Sequence, residues 1–346
     1  MLFIIFADRF FRTLNTAAGT PFTEALAKQF NHPEWFGSTF YDIIMPLFLF
    51  VVGAVIPFSL SKRMQENTSK STLYLKLLKR FVLLFILGWI VQGNLLKLDS
   101  EEFRIFSNTL QAIAVGYFFS CISYIHLTKK WRYFVFVSCL ISYALLLSVT
   151  NVPGLGQSEL LPDQNLALYI DRFVFGKFDD GTQYTWLLSG FGFTATTLSG
   201  IFAGELIKSK HPRKKVAMYL MIYGIIGLSI GLIWGIWHPI VKKIWTSSFV
   251  LASSGICFLL LAFFYWVIDV KGKIKWTFPL KVIGSNAITA YVLSHVFNFP
   301  KIANYLLFGL EKYLGAYYEV VNTIGGFGLL YLLLWYMHKN NTFIKI

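Results

Sequence analysis

A histidine and an aspartate that could carry out acid–base chemistry lie close together near the start of the chain. The stretch from 30 to 53 reads FNHPEWFGSTFYDIIMPLFLFVVG and contains His32, Trp35, Gly37 and Asp42. Histidine is the side chain best suited to accept and return a proton near neutral pH, and a carboxylate can fix its tautomer. We therefore predict His32 as a general base and Asp42 as its partner, although their spacing alone proves no contact. The alternative is a histidine that simply lies at a membrane surface.

Three amide side chains lie in segments that are otherwise apolar. Asn108 and Gln111 are one helical turn apart at the start of NTLQAIAVGYFF, so they share a helix face. Asn286 lies in GSNAITAYVLSH, one turn before Ala290, with His295 near the far end of the same predicted helix. Amides in such segments either bind a ligand or hold helices together, and the sequence leaves both roles open.

Lys242 and Lys243 begin the segment KKIWTSSFV at the end of an apolar stretch. They are candidates to bind an acidic substrate, and the alternative is a pair of lysines that extend to a membrane interface. The sequence contains no glycine-rich phosphate loop, no metal-ligand spacing and no serine-hydrolase elbow. We therefore predict no metal.

The segment GFGFTATTLSGIFAGE (190–205) is rich in small residues. Helices with such a pattern pack closely against a neighbour, because nothing holds their backbones apart. Close packing is therefore the predicted role of a set of positions: Thr194, Thr197, Ser199, Gly200 and Gly204.

The composition excludes an ordinary soluble domain. Hydrophobic residues make up 56% of the 346 residues and charged residues only 14%, against roughly 25% in soluble proteins. Long apolar runs recur to the C-terminus, and the alternation typical of membrane barrels is absent. The predicted fold is all-α: one domain (1–346) that forms a polytopic transmembrane bundle of about ten helices. The three scattered cysteines indicate no disulfide framework.

Windows of about 20 apolar residues predict nine complete membrane-spanning helices. They lie near 41–61, 81–97, 105–127, 133–150, 186–207, 216–237, 245–268, 279–298 and 320–337.

The basic residues predict the orientation of the chain. Alternate segments hold 20 of the 31 Lys and Arg residues, and such segments face the cytoplasm. These inner segments are 62–80, 128–132, 208–215, 269–281 and the tail 338–346. The intervening segments then face outward, and His32 lies on the outer side. This pattern explains the net charge of +14 without a nucleic-acid partner.

Three further segments have a predicted character. MLFIIFADRFF has only seven apolar residues before Asp8, so it resembles the outer end of a helix whose inner part is missing. LALYIDRFVFG, within the long outer segment 151–185, is amphipathic and is predicted to lie at the interface. Residues 301–319 are predicted to form a second interfacial or re-entrant helix.

With these residues identified, the sequence resembles the heparan-alpha-glucosaminide N-acetyltransferase family and its bacterial relatives. The motif is His-x-x-Trp-x-Gly-x-x-x-x-Asp-x-x-x-Pro-x-Phe-x-Phe, matched by His32, Trp35, Gly37, Asp42, Pro46, Phe48 and Phe50. Further matches follow in order along nearly the whole chain: 57–60, 79–88, 165–172, 195–204, 242–251 and 284–294.

The resemblance implies a transmembrane acetyltransferase of a bacterial cytoplasmic membrane. Its co-substrate would be acetyl-CoA on the cytoplasmic side, and its acceptor an amino sugar or glycan on the outer side. The histidine that matches His32 is the family's active-site residue, acting either as acetyl carrier or as base. Basic inner segments such as 62–80 would attract the phosphates of CoA. The candidate binding residues are Trp35, Asn108, Gln111, Lys242, Lys243 and Asn286.

Two departures from the family leave other functions open. Members usually begin with a further helix that carries Leu-Asp-x-x-Arg-Gly, and many have Leu-Gln-Arg where this chain has Leu110, Gln111 and Ala112. A sugar or amino-sugar permease is the first alternative, and a catalytically degenerate relative is the second. The aromatic-rich helical surface is compatible with a homodimer in the lipid bilayer.

Overall fold

The computed structural model describes residues 1–65 and 69–344. Within these residues the fold is all-α, as predicted. Strands there are limited to one antiparallel hairpin, formed by β1 (Asn151–Val152) and β2 (Gly156–Gln157). Parts of the predicted inner segments 62–80 and 338–346, namely 66–68 and 345–346, lie outside the described residues.

The α-helices of the described residues follow the apolar segments along the chain. In order they are α1 (Asp8–Ala18), α2 (Pro21–Gln29), α3 (Ile44–Gln65), α4 (Lys70–Val91), α5 (Thr109–His126), α6 (Lys129–Val149), α7 (Leu166–Phe175), α8 (Gly190–Lys208), α9 (Arg213–Trp234), α10 (Ser247–Tyr265), α11 (Phe278–Ser285), α12 (Ala287–Val296), α13 (Phe299–Leu307), α14 (Glu311–Leu314) and α15 (Tyr318–Lys339).

The protein is an integral, multi-pass membrane protein. Among the described residues, five helical segments are long and apolar enough to cross a bilayer: Phe40–Lys62, Lys129–Val149, Arg213–Trp234, Ser247–Val270 and Phe299–Lys339. Helices also occupy the other predicted spans, with shifted bounds; α4, for example, begins well before the predicted residue 81.

The helices divide into two compact units. Unit 1 comprises Met1–Pro33, Thr39–Ile44 and the described part of Lys273–Ile346, and unit 2 comprises Glu34–Ser38 and the described part of Met45–Gly272. The short motif that begins at His32 therefore contributes residues to both units.

In unit 1, the apolar start of the chain is helical and continues beyond its predicted end. A π-helical turn, Phe3–Ala7, leads directly into α1, which ends at Ala18 and is followed by the C-cap Gly19 with φ +58°. The ring of Phe6 lies 4.5 Å from that of Phe327 in α15. The apolar pattern did not predict α1 and α2, because polar residues interrupt it in both helices.

The predicted span 279–298 is not one helix, which corrects the placement of Asn286 and His295 on a single helix. α11 ends before Asn286, whose φ and ψ of −128° and 43° are not helical, and α12 begins after it. The reason is a pair of hydrogen bonds from its side chain to the C-terminal segment. The amide Nδ2 donates to the Thr342 carbonyl at 3.1 Å, and Oδ1 accepts from Ile344 N at 3.1 Å.

In unit 2, α3 and α8 cross through glycines, which confirms the predicted close packing of the small-residue helix. A Cβ added at Gly200 would lie 2.0 Å from the Phe50 carbonyl oxygen. One added at Gly204 would lie 2.1 Å from the Ala54 carbonyl oxygen. The two backbones therefore touch with no side chain between them.

Candidate functional site

His32 and Asp42 are in direct contact within unit 1. His32 Nδ1 lies 2.5 Å from Asp42 Oδ1. The Asp42 side chain has no exposed surface, whereas 36% of the His32 side chain is exposed. A carboxylate can only accept hydrogen bonds, so the bond fixes Nδ1 as the protonated nitrogen of neutral His32. The lone pair of the imidazole is then on Nε2.

Asp42 is held in place by the helical turn on which it lies. That turn is the 3₁₀ segment Phe40–Ile43, and Thr39 precedes it as a capping residue. Asp42 Oδ2 accepts hydrogen bonds from Thr39 N at 2.8 Å and from Thr39 Oγ1 at 3.2 Å. One carboxylate therefore caps a turn with one oxygen and orients His32 with the other.

The loop around His32 is also fixed by its neighbours in unit 1. Thr39 Oγ1 donates to the Asn31 carbonyl at 2.9 Å, and the His32 ring lies 5.2 Å from the Tyr41 ring. The buried Phe30 ring stacks on Phe11 at 4.6 Å. A histidine that is oriented by a carboxylate and still reaches the surface can accept and return a proton.

Trp35, another residue of the motif, belongs to a cation–aromatic cluster in unit 2. Trp35 Nε1 donates to the Leu160 carbonyl at 2.7 Å. The Lys243 ammonium lies 5.7 Å from the centre of the Trp35 ring and donates to Gln183 Oε1 at 3.1 Å. The Lys242 ammonium lies 5.7 Å from the centre of the Tyr184 ring. We call these residues (Trp35, Gln183, Tyr184, Lys242 and Lys243) the lysine–tryptophan cluster.

Backbone hydrogen bonds join the three loops that carry this cluster. Gly37 N donates to the Ile240 carbonyl at 2.8 Å, and Thr185 N donates to the Lys243 carbonyl at 3.0 Å. Gly37 has φ +91°, a conformation that favours glycine. The motif's glycine therefore lets the backbone pair in parallel with Val241.

A buried aspartate that the sequence analysis missed holds α7 against one of these loops. Asp171 Oδ2 accepts from Trp186 N at 2.5 Å, and Oδ1 accepts from Leu187 N at 3.1 Å. Burial raises the pKa of Asp171 to about 7, against the effect of these two donors. The signal in the sequence was an aspartate on the apolar face of the amphipathic helix.

A buried histidine lies in the loop between α9 and α10. His238 is only 4% exposed, and its Nε2 has no hydrogen-bond partner among the described residues. Burial lowers the pKa of His238 to about 4, from an ordinary value of 6.5. At pH values between about 4 and 6.5, His238 therefore binds a proton in the unfolded chain but not in the folded chain.

We therefore expect the His238 contribution to stability to be complete above about pH 6.5 and to decrease as the pH falls towards about 4. Thermal unfolding measured from pH 7.5 to 5 checks this. The loss of stability on acidification should be smaller in His238→Phe, and unchanged in the control His211→Phe, because His211 is exposed. Equal acid sensitivity in wild type and His238→Phe would contradict the assignment.

Asn108 and Gln111 contact each other in unit 2, and both side chains are fully buried. Asn108 Nδ2 donates to the Gly88 carbonyl of α4 at 2.9 Å and to Gln111 Oε1 at 3.2 Å. Gln111 Nε2 donates to the Ile105 carbonyl at 2.9 Å. These bonds hold α4 against the start of α5. To bind a substrate, Asn108 or Gln111 would have to replace one of these hydrogen bonds with a bond to the substrate.

A second residue missed by the sequence analysis is an arginine between apolar helices. The Arg80 guanidinium carbon lies 4.1 Å from the centre of the Tyr117 ring, and its Nε is buried without a hydrogen-bond partner among the described residues. A buried guanidinium nitrogen without an acceptor is costly, so such an arginine is a candidate for a binding role. Its position in the matched segment 79–88 was the available signal.

The predicted site residues divide between the two units. His32, Asp42 and Asn286 belong to unit 1, where His32 contacts Asp42 and the Asn286 amide is bonded to the C-terminal segment. The other predicted residues belong to unit 2. They form the lysine–tryptophan cluster and the Asn108–Gln111 pair.

The fold and the site define a class: a multi-pass membrane protein with a carboxylate-oriented histidine on a loop. Comparisons with known proteins agree with this class. A domain family described as "Domain of unknown function (DUF5009)" matches residues 22–133, which include the His32–Asp42 pair.

The chain is similar to heparan-alpha-glucosaminide N-acetyltransferase of Homo sapiens, with 26% identity over 333 residues, or 78% of this chain and 49% of the relative. The Mus musculus protein of the same name is 26% identical over 326 residues, or 76% of this chain and 48% of the relative. The chain therefore spans about half the length of the curated relatives it matches. These similarities confirm the resemblance to a heparan-alpha-glucosaminide N-acetyltransferase-like family that the motif predicted.

Proposed function

We propose that the protein is a transmembrane acetyltransferase. It moves an acetyl group from acetyl-CoA on the cytoplasmic side to the amine of an amino sugar or glycan on the other side. The observation that carries the proposal is the 2.5 Å hydrogen bond between His32 and Asp42. The histidine motif and the similarity to the two heparan-alpha-glucosaminide N-acetyltransferases also support it.

In this proposal, His32 acts as a general base through Nε2. The acceptor nitrogen attacks the thioester carbonyl, a C–N bond forms and the C–S bond breaks. His32 takes the proton that the amine loses and returns it to the CoA thiolate, so the reaction is balanced without another reactant. The buried Asp42 stabilises the imidazolium that forms between these two proton transfers.

The donor requires cations for the phosphates of CoA, and the chain supplies them. Arg80 in α4 and Lys129 and Lys130 at the start of α6 lie at or beside predicted inner segments. Arginine suits phosphate because its planar guanidinium presents several N–H donors. We propose that Arg80 contacts this co-substrate, since its buried Nε has no hydrogen-bond acceptor among the described residues.

For the acceptor, we propose the lysine–tryptophan cluster as a binding region. The half-buried Tyr184 ring offers a flat apolar face to a sugar ring, and Gln183 offers an amide. The buried Trp35 is proposed to act by holding Lys243 in position. Lys242 and Lys243 add two positive charges, which suit a glycan that also carries acidic groups. The cluster belongs to the predicted outward segments.

We expect Lys243→Met to raise the KM for an acidic amino-sugar acceptor by about tenfold, with a smaller effect on kcat. The reason is the loss of a cation that already has a fixed position beside Trp35 and Gln183. Steady-state acetylation kinetics measure it. Lys177→Met is the matched control, because Lys177 is exposed and pairs with Glu101. If the two variants changed the KM for the acceptor equally, the lysine–tryptophan cluster would not be the acceptor-binding region.

Each of the amides Asn108, Gln111 and Asn286 is proposed to bind the acetyl oxygen during transfer. Each already makes hydrogen bonds within its own unit. Alanine at each position therefore separates two roles. Loss of turnover in a variant of normal thermal stability supports the proposal, and lowered stability with normal turnover assigns the amide to packing.

The test of the proposed function uses the full chain in nanodiscs with radiolabelled acetyl-CoA and glucosamine. Acetylated glucosamine made by the wild type supports the proposal. If the wild type acetylates none of several amine and hydroxyl acceptors, the proposal is wrong. Uptake of unmodified amino sugar into proteoliposomes without CoA would then indicate the permease instead. The proposed location is a bacterial cytoplasmic membrane.

A further inference from the structure

The two spans α9 and α10 pack closely over only part of their length. A Cβ added at Gly231 would lie 2.3 Å from Ala252 N, and one added at Gly255 would lie 2.3 Å from Leu228 N. These contacts bring the two backbones together. Towards the start of α9 and the end of α10, neither helix has a glycine: the first in α9 is Gly224, and none follows Gly255 in α10.

Larger side chains separate the helices there, and a groove of about 430 Å³ opens between them. The buried Ala217 and Ala262 are among its lining residues and form its floor. Its remaining lining consists of the following side chains: Lys214, Met218, Met221, Leu259, Phe263 and Trp266. Met218, Met221, Phe263 and Trp266 are exposed. Because both helices are candidate membrane spans, this exposed apolar surface is available to lipid.

One end of the groove is cationic. Lys214 lines it, and the Lys271 ammonium lies 5.4 Å from the centre of the Trp266 ring, which also lines it. Asp269 is the acidic residue of this end, and Arg213 donates to its carbonyl at 3.0 Å. The predicted inner segments 208–215 and 269–281 both meet here, so this end is predicted to lie at the cytoplasmic leaflet.

We propose that this groove binds an anionic phospholipid. One acyl chain lies on the alanine floor between the methionine and aromatic side chains, and the headgroup phosphate is held by Lys214 and Lys271. The apolar acyl chain of such a lipid matches the apolar groove, and its negative headgroup matches the cationic end. An apolar groove that ends in lysines at the cytoplasmic leaflet selects a lipid with net negative charge.

The experiment is native mass spectrometry of the full chain released from nanodiscs that contain equal amounts of phosphatidylglycerol and phosphatidylcholine. Wild type is expected to retain phosphatidylglycerol preferentially. The double variant Lys214→Ala/Lys271→Ala should reduce that retention at least about fivefold, because each lysine contributes to headgroup attraction. Ala262→Phe fills the floor without changing charge and should reduce retention of both lipids.

The control is Lys215→Ala, which removes one positive charge next to Lys214 but from a residue that does not line the groove. It should retain phosphatidylglycerol as the wild type does. Equal retention of the two lipids by wild type, or equal losses in Lys215→Ala and the double variant, would overturn the proposal. If Ala262→Phe instead converts a dimer into a monomer, the groove is an interface between two copies and the lipid proposal is wrong.

Discussion

Replacing His32 with alanine is expected to lower the acetylation rate by roughly 10²–10⁴-fold while leaving the fold intact. The variant loses the imidazole that would remove the acceptor's proton. The side chain is partly exposed, so its removal leaves no large cavity. Product formation from radiolabelled acetyl-CoA measures the rate, and thermal unfolding measures the fold.

Asp42→Asn extends this test. An asparagine amide can donate to Nδ1, which favours the opposite tautomer and removes the stabilisation of the imidazolium. We expect a loss of turnover that approaches that of His32→Ala, with a changed pH profile. His295→Ala is the control, because this histidine donates to the Tyr291 carbonyl and lies outside the motif. Wild-type turnover in His32→Ala would exclude the proposed base.

Gly200→Leu is expected to prevent folding or to reduce the free energy of unfolding by about 3 kcal/mol or more. Even a Cβ at this position would lie 2.0 Å from the Phe50 carbonyl oxygen and 3.0 Å from Ala54 N. Both atoms are backbone, so no rotamer change can relieve the overlap and α3 must move away from α8. Thermal unfolding and the yield of monodisperse protein measure the effect.

The control for this prediction lies on the same helix. A Cβ added at Gly190 would meet only Val115 Cγ1, at 3.4 Å, which is ordinary contact. Gly190→Ala should therefore have the thermal stability of the wild type, and Gly200→Ala should already be less stable. If Gly200→Leu were as stable as Gly190→Ala, the close crossing of α3 and α8 would be wrong.

The parts of the fold that the sequence predicted depend on local patterns. Apolar windows located the spans, and the small residues of α8 located the close crossing, because both effects act within one helix face. The interruption at Asn286 was not predictable in this way. It depends on hydrogen bonds to Thr342 and Ile344, and nothing near Asn286 in the sequence indicates them.

In the candidate site, too, local contacts could be predicted from the sequence and distant contacts could not. The motif contains both His32 and Asp42, and Thr39, which holds Asp42, lies between them, so the pair could be proposed from a short stretch. Trp35 instead contacts Lys243, which is far away along the chain. Periodicity does not report such a contact, and the roles of Gln183 and Tyr184 became visible only through it.

The backbone bonds that join the loops of unit 2 have a consequence for local unfolding. The Gly37 amide donates to the Ile240 carbonyl, and the Thr185 amide donates to the Lys243 carbonyl. An amide so bonded exchanges its hydrogen only when the loops separate, and a protease needs the same separation before it can cut. The amides of Gly37 and Thr185 should therefore exchange hydrogen more slowly than unbonded amides of the same loops, and the chain should resist proteolysis at these two positions.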